Sequence, residues 1–283
     1  MHRKTISFIF YLFLISSCAF KSEHSFFSSF SSKDDNQRSP WPENDYIDHF
    51  SYLKNVYLQS KSSRLVGPSL EENKYLQEIV GLILEKNRDL FEKIDRKDIY
   101  FYIIEDTSAF YFSFPGGHIF LSTGLLQRHI RYEGDFLSLI TYELIKSLHR
   151  IYTKTSLIPF GPIDTQRMIA LAKIPYLARL KIHELSYKVL KRIGQDPHVI
   201  LYWIQQLNKK SVDFYFMRDE IDEKSREEYD YRNLLLAKNK KIHYNQSFFD
   251  YRSSSSRFLK MLEHYRKGYY ANSDQRSRAT YKE

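Results

Sequence analysis

One cysteine, Cys18, occurs in 283 residues, so no disulfide can form within the chain even in an oxidising compartment. Glycine and proline are sparse, at 9 and 8. That argues against a repeat or a disordered chain and for a compact, largely helical globule. No internal repeat is visible. Only one long apolar run occurs, "TISFIFYLFLI" at 5–15. It is too short to span a bilayer comfortably.

Aromatic side chains are abundant instead: 23 Tyr and 21 Phe within a hydrophobic content of 42%, enough to build a sizeable core. The apolar run follows a short basic segment, "MHRK", and leads into "SSC". Ile15-Ser16-Ser17-Cys18 resembles the lipobox of bacterial lipoprotein signal peptides. The resemblance implies removal of residues 1–17 and lipid on Cys18, which anchors a protein firmly without a transmembrane helix. The alternative is an ordinary signal peptide that contains a cysteine. Ala19 after the cysteine looks like outer-membrane sorting, so the expected location is the bacterial envelope, lipid-anchored and facing the periplasm. The formal charge is +9, from 43 Lys and Arg against 34 Asp and Glu. A basic surface suits anionic neighbours such as lipid headgroups or cell-wall polymer, and the export signal excludes nucleic acid as partner.

Residues 18–44 are Ser-rich and polar, a flexible tether between lipid and domain. Helical spacing runs over 45–60 and 70–94, and "IYFYIIE" (99–105) reads as a buried strand. Two short apolar runs flank Pro115-Gly116-Gly117 in "FYFSFPGGHIFLS", which predicts a turn between extended segments. A short helix follows at "TGLLQRH", then a longer one over 133–152. Residues 164–193 read as helix with a break at Pro175, ended by "GQDP" at 194–197. Helices are expected again at 198–209, at the charged stretch 217–241, and at about 254–268. The folded domain is placed at 45–270, with a disordered tail at 271–283.

The helix "LSLITYELIKSLHR" (137–150) has an apolar stripe of Leu137, Ile140, Leu144, Leu148 and, just beyond, Ile151. Tyr142, Glu143, Lys146, His149 and Arg150 lie opposite. Taken alone it reads as an ordinary surface helix, with Glu143 and Lys146 a routine solvated i,i+3 pair contributing a few tenths of a kcal/mol.

Its context is more specific. The order strand, strand–PGG–strand, "GLL", helix, later "GQDP" resembles the core of the HExxH zinc metallopeptidases of the CAAX-prenyl-protease, Oma-type and BepA-like family. Members carry N-A-F-x-x-P-G-G-x-I, then G-L-L, then a helix with H-E-x-x-H. E-x-x-A-D follows on a later helix, and then a G-x-D-P turn. "FPGGHIFLSTGLL", "YELIK" and "GQDP" match these positions over roughly 75–210. The resemblance implies an α+β fold, a mostly helical zincin-like domain with a small sheet beside the HExxH-position helix.

It also implies what is missing. H-E-x-x-H puts two imidazoles on one helix face to hold zinc, beside a Glu that activates the metal-bound water. Aligned this way, the ligand positions are Tyr142, Lys146 and Arg179, and only Glu143, the remnant of the general base, is kept. The Asp of E-x-x-A-D falls on His183, the Asn of N-A-F on Phe110, and the family's H-P-x-x-x-x-R segment on Tyr251–Arg257. A phenol is a poor zinc ligand near neutral pH, and Lys and Arg repel a cation. The expectation is a degenerate member with its zinc lost, in which Lys146 and Arg179 stand in for the metal's charge beside Glu143. The apolar positions Phe112, Phe114, Ile119 and Phe120 read as core residues; the resemblance also implies Phe114, Pro115, Gly116, Gly117 and His118 at the cleft, where the family offers a strand edge to extended polypeptides. Two alternatives stay open: a working zinc endopeptidase with rearranged ligands from His149, His183 and Glu143, and a purely structural lipoprotein.

Overall fold

The computed structural model describes residues 43–92, 94–152, 163–210, 212–214, 217, 221–239 and 253–266. The signal peptide, Cys18, most of the tether and the tail lie outside these residues.

The described residues begin with α1 (Glu43–Ser60), followed by α2 (Leu70–Lys86). Ser69 starts α2 through a capping box: its hydroxyl accepts from the Glu72 amide, and the Glu72 carboxylate accepts from Ser69 N at 2.7 Å. Three strands follow, β1 (Tyr100–Ile104), β2 (Tyr111–Phe114) and β3 (His118–Ser122). β3 is central, parallel to β1 and antiparallel to β2. Arg64, Leu65 and Val66 cover part of the outer edge of β1 through backbone bonds and a bridge to Ile104. The remaining outer strand is β2.

Helices then take over: α3 (Thr123–Arg128), α4 (Glu133–Leu148), α5 (Thr165–Leu171), α6 (Tyr176–Arg192), α7 (His198–Lys209), α8 (Ile221–Asn239) and, last among the described residues, α9 at 256–266. The fold is therefore α+β, mostly helical with one small mixed sheet. Pro175 separates α5 from α6, because it lacks the N–H that a continuous helix would use.

Two helix ends follow from backbone conformation. Arg150 adopts a left-handed φ of 53°, so Ile151 N bonds back to Lys146 O and Arg150 N to Ser147 O. This motif stops α4 at Leu148, four residues short of the expected end at 152. Gly194, at φ 79°, closes α6 in the same way, with Gln195 N bonded to Leu190 O.

The sheet lies between α1 and α4. On the α1 face Phe110, Phe112, Phe114 and Phe120 pack with Phe50, Leu53 and Tyr57. Phe112 and Phe120 are paired across β2 and β3, and their rings stack 4.6 Å apart. Burying each such ring stabilises by roughly 1.5–3 kcal/mol. On the opposite face Ser113 donates to the carbonyl of Glu143 in α4. At the turn, Gly117 N donates to Ser147 Oγ at 2.7 Å. A Cβ on Gly117 would lie 2.6 Å from the Asp98 carbonyl oxygen, and its φ is +82°. Only glycine fits there.

α4 is the central element. From Gly134 to Ser147 every residue but Tyr142 is buried. The amphipathic surface helix expected from 137–150 alone is corrected here, because α6 and α7 cover what the sequence presents as the polar face. Among the described residues no helix is long and apolar enough to cross a membrane.

Candidate functional site

Three helices each contribute a pair of side chains four residues apart: Tyr142 and Lys146 from α4, Arg179 and His183 from α6, Glu223 and Glu227 from α8. Four apart is one turn, so each pair shares a helix face. All but Glu223 line one cavity of about 120 Å³, together with Glu143, Ser186 and an apolar wall that includes Trp203 and Ile200.

The polar floor is tightly paired. Lys146 Nζ lies 2.6 Å from Glu143 Oε2, with Glu143 only 1% and Lys146 only 4% exposed. This is a buried ion pair and not a solvated one, so the surface-pair value expected from sequence does not apply. Oε2 makes no hydrogen bond of ordinary geometry, so the contact is purely electrostatic. The ammonium also sits 6.0 Å from the ring centres of Tyr142 and Tyr152. Tyr152 donates to Ser113 Oγ, whose own proton goes to the Glu143 carbonyl, so β2 and α4 are tied behind the pair.

On α6, Arg179 bonds Glu223 at 2.6 Å, and its Nε lies 3.6 Å from Glu227. His183 Nε2 is 2.5 Å from Glu227 Oε1, and its ring packs on Tyr142 with centroids 5.1 Å apart. Burial pushes the Glu227 carboxyl up, but the His183 hydrogen bond and the charges of His183, Arg179 and Lys224 outweigh it and hold it below its ordinary range. Glu227 is therefore a charged acceptor, and His183 Nε2 donates to it. Burial raises the Tyr142 phenol well above its ordinary value; Glu227 and Glu143 add to this and Arg179 opposes it. Tyr142 stays a neutral phenol.

The positions implied as metal ligands thus converge, but their chemistry does not fit zinc. A neutral phenol, an ammonium and a guanidinium offer a divalent cation no ligand set. Among the described residues no group of three His, Cys, Asp or Glu side chains is placed to hold a metal ion. His149 does not join His183: it faces Phe91, with rings 5.7 Å apart, and does not line the cavity.

Other expectations shift. Phe114 through His118 do not line the cavity; the strand contributes Tyr111 and Phe112, one hairpin length away from the turn. Phe114 is buried against Phe50, and His118 is held by Lys54 and Tyr102 beside α1. Phe110, at the position of the family's Asn, lies in the core. Arg257 pairs with Glu78 of α2, away from the cavity, and Tyr251 lies outside the described residues.

Sequence reading missed the carboxylates of α8. That stretch reads as a solvated charged helix, yet Glu227 is largely buried and lies against Arg179 and His183 of α6. A signal was present: Glu223, Glu227 and Asp230 recur at helical spacing, and Asp230 is also engaged, by the Tyr176 hydroxyl. No family model matches the chain, and no curated protein matches it.

Proposed function

We propose that this protein is a catalytically silent relative of the HExxH zinc metallopeptidases, held in the bacterial envelope by lipid on Cys18. It binds or scaffolds polypeptides during envelope or outer-membrane protein assembly and quality control. The observation that carries this reading is the convergence of Tyr142, Lys146 and Arg179 on one cavity around Glu143. Positions that would be unrelated on an ordinary helix pair line one cavity, which supports that reading.

The chemistry follows from the pairing. In an active relative the metal would neutralise charge and lower the pKa of a bound water for the Glu to deprotonate. Here the Lys146 ammonium supplies the neutralising charge at Glu143. A carboxylate left alone in so buried a place would be strongly unfavourable, which gives a physical reason for a cation beside it. Glu143 has no activated water to act on, so peptide hydrolysis is not expected. The binding half rests on the family resemblance alone, because every residue of the outer strand β2 is buried.

Metal analysis and a casein cleavage assay on the purified protein test the reading. No stoichiometric zinc and no chelator-sensitive cleavage are expected. A zinc-loaded protein whose cleavage is abolished by chelator would establish an enzyme with rearranged ligands instead. Photocrosslinking from Lys173, an exposed residue at the rim of the cavity, separates a scaffold, which captures envelope polypeptides, from a structural lipoprotein, which captures none.

A further inference from the structure

Three buried polar atoms are left over by the proposed loss of zinc. Glu143 Oε2, His183 Nδ1 and Ser186 Oγ have no hydrogen-bond partner among the described residues, and all three side chains line the cavity. The residues are at most 6% exposed. His183 and Ser186 stand three apart on α6, hence on one face, and Glu143 enters the same cavity from α4. Buried polar groups in native proteins find partners, so three unused ones around one cavity point to something that fills it.

Their chemistry specifies the occupant. A carboxylate oxygen only accepts. His183 gives its Nε2 proton to Glu227, which leaves Nδ1 of the neutral ring to accept as well. Ser186 Oγ has a proton to give. The missing partner therefore brings two donors and an acceptor. It need not bring charge. Lys146 faces Glu143, Arg179 faces Glu223 and Glu227, and Lys173 and Lys224 have partners of their own. A primary carboxamide matches this set, with two N–H donors and one carbonyl. The rest of the wall is apolar: Trp203 spends its N–H on the Tyr111 hydroxyl, and Ile200 and Ile204 have no polar side-chain atom. Water would serve the polar atoms but gains nothing from this wall, whereas an alkyl group does. A volume near 120 Å³ is somewhat below the roughly 150 Å³ cavity that takes up a benzene ring, so it suits about six heavy atoms or fewer. Exposed Lys173 marks where the cavity opens.

We infer that this cavity binds a small primary amide with a compact alkyl group. Its NH2 donates to Glu143 Oε2 and His183 Nδ1, its carbonyl accepts from Ser186, and its alkyl end lies against Trp203 and Ile200. The site stands whether or not the scaffold is that of a metallopeptidase. The same chemistry is offered by a free short-chain amide and by the side chain of a glutamine in a polypeptide.

Titration of the full chain at pH 7, followed by heteronuclear NMR, tests this with two matched sets. One is isobutyramide, the methyl ketone that replaces its NH2 by CH3, and isobutyrate. The other is a pentapeptide with a central glutamine and acetyl and N-methylamide ends, and the same peptide with the glutamine amide replaced by a methyl ketone. The amide of at least one set should fill a single site with a Kd no weaker than about 1 mM. Its ketone, equal in size but without donors, should bind at least about tenfold more weakly, and isobutyrate no better than the ketone. The set that responds identifies the source. Ser186→Ala removes a hydroxyl that has no partner to lose, so it should weaken the amide about threefold or more without loss of fold. The amide, and not the ketone, should also move the Nδ1 resonance of His183, a readout that needs no variant. Equal binding of amide and ketone, binding of neither amide, isobutyrate matching isobutyramide, amide binding undiminished in Ser186→Ala, or a His183 Nδ1 resonance indifferent to the amide overturns the inference.

Discussion

Replacing Lys146 by Met keeps most of the stem but removes the charge that lies 2.6 Å from Glu143 Oε2 and 6.0 Å from the ring centres of Tyr142 and Tyr152. The carboxylate is then left in a site where only 1% of its residue surface reaches solvent. Breaking a buried pair from one side destabilises by about 3–5 kcal/mol, because the remaining charge keeps its desolvation penalty and loses its partner. For a domain of this size that is a fall in Tm of about 6–20 °C. Removing both charges, as Glu143→Leu/Lys146→Met, should recover most of the loss, since an apolar pair of similar volume is often neutral or stabilising. The single variant should also show a pH signature. A lone buried carboxyl has its folded pKa raised above the unfolded value of about 4.3, so the folded state binds the extra proton and stability rises as pH falls toward that value. Urea denaturation of parent, single and double variants at pH 5 and pH 8 reads all three effects. A single-variant loss below about 1 kcal/mol, or a double variant no better than the single, would refute the view that this pair is buried and mutually dependent.

Other outcomes follow from the same structure. Gly117→Ala should cost about 2 kcal/mol or more, combining a φ of +82° with a Cβ 2.6 Å from the Asp98 carbonyl oxygen. Gly116→Ala should cost less, because its nearest neighbour stands at an ordinary 3.8 Å, and equal losses in thermal denaturation would count against the close approach. Burial, with Lys210 and Arg128 adding, pushes buried His129 down to about 4, with Asp213 opposing. Its folded pKa lies below the unfolded one, so the parent should lose stability as pH falls from about 6.5 to 4, and His129→Leu should flatten that slope. Identical slopes would show that His129 does not contribute. His198 has the opposite sign: its hydrogen bond to Asp196 raises it against burial, so its contribution is full below about 6.5 and fades as pH rises through its folded pKa. His198→Asn should therefore cost more at pH 5.5 than at pH 9 by urea denaturation, and a pH-independent loss would contradict the pairing.

Local signals made much of the fold readable. The glycine pair after Pro115, Pro175 and Gly194 each fix a backbone event through chemistry within a few residues, and the corresponding elements occur where those signals stand. The end of α4 was not readable, because Arg150 takes a left-handed conformation that nothing in its side chain announces. The burial of the 142–146 face was not readable from helical periodicity either. α4 carries apolar residues on one side and charges on the other, as a surface helix does, and only the charges on α6 and α8 make the second side compatible with an interior. Tyr142, Lys146 and Arg179, which motif order groups, line one cavity, and the strand contributes Tyr111 and Phe112 to it and not the turn. Glu227 escaped notice because a charged residue on a charged helix looks solvated until its partner, His183, is known to face it.

The central claim is that a metallopeptidase scaffold keeps its geometry while other side chains occupy the seats of its metal. Zinc content measured side by side on the parent and on Tyr142→His/Lys146→His/Arg179→Glu/Glu227→Gln tests it most directly. The fourth change keeps the restored carboxylate from crowding Glu227, whose Oε2 now stands 3.6 Å from Arg179 Nε. The account predicts about one zinc per chain in the restored protein and essentially none in the parent. A restored protein that folds and takes up no zinc, or a parent that already carries a full equivalent, would contradict it.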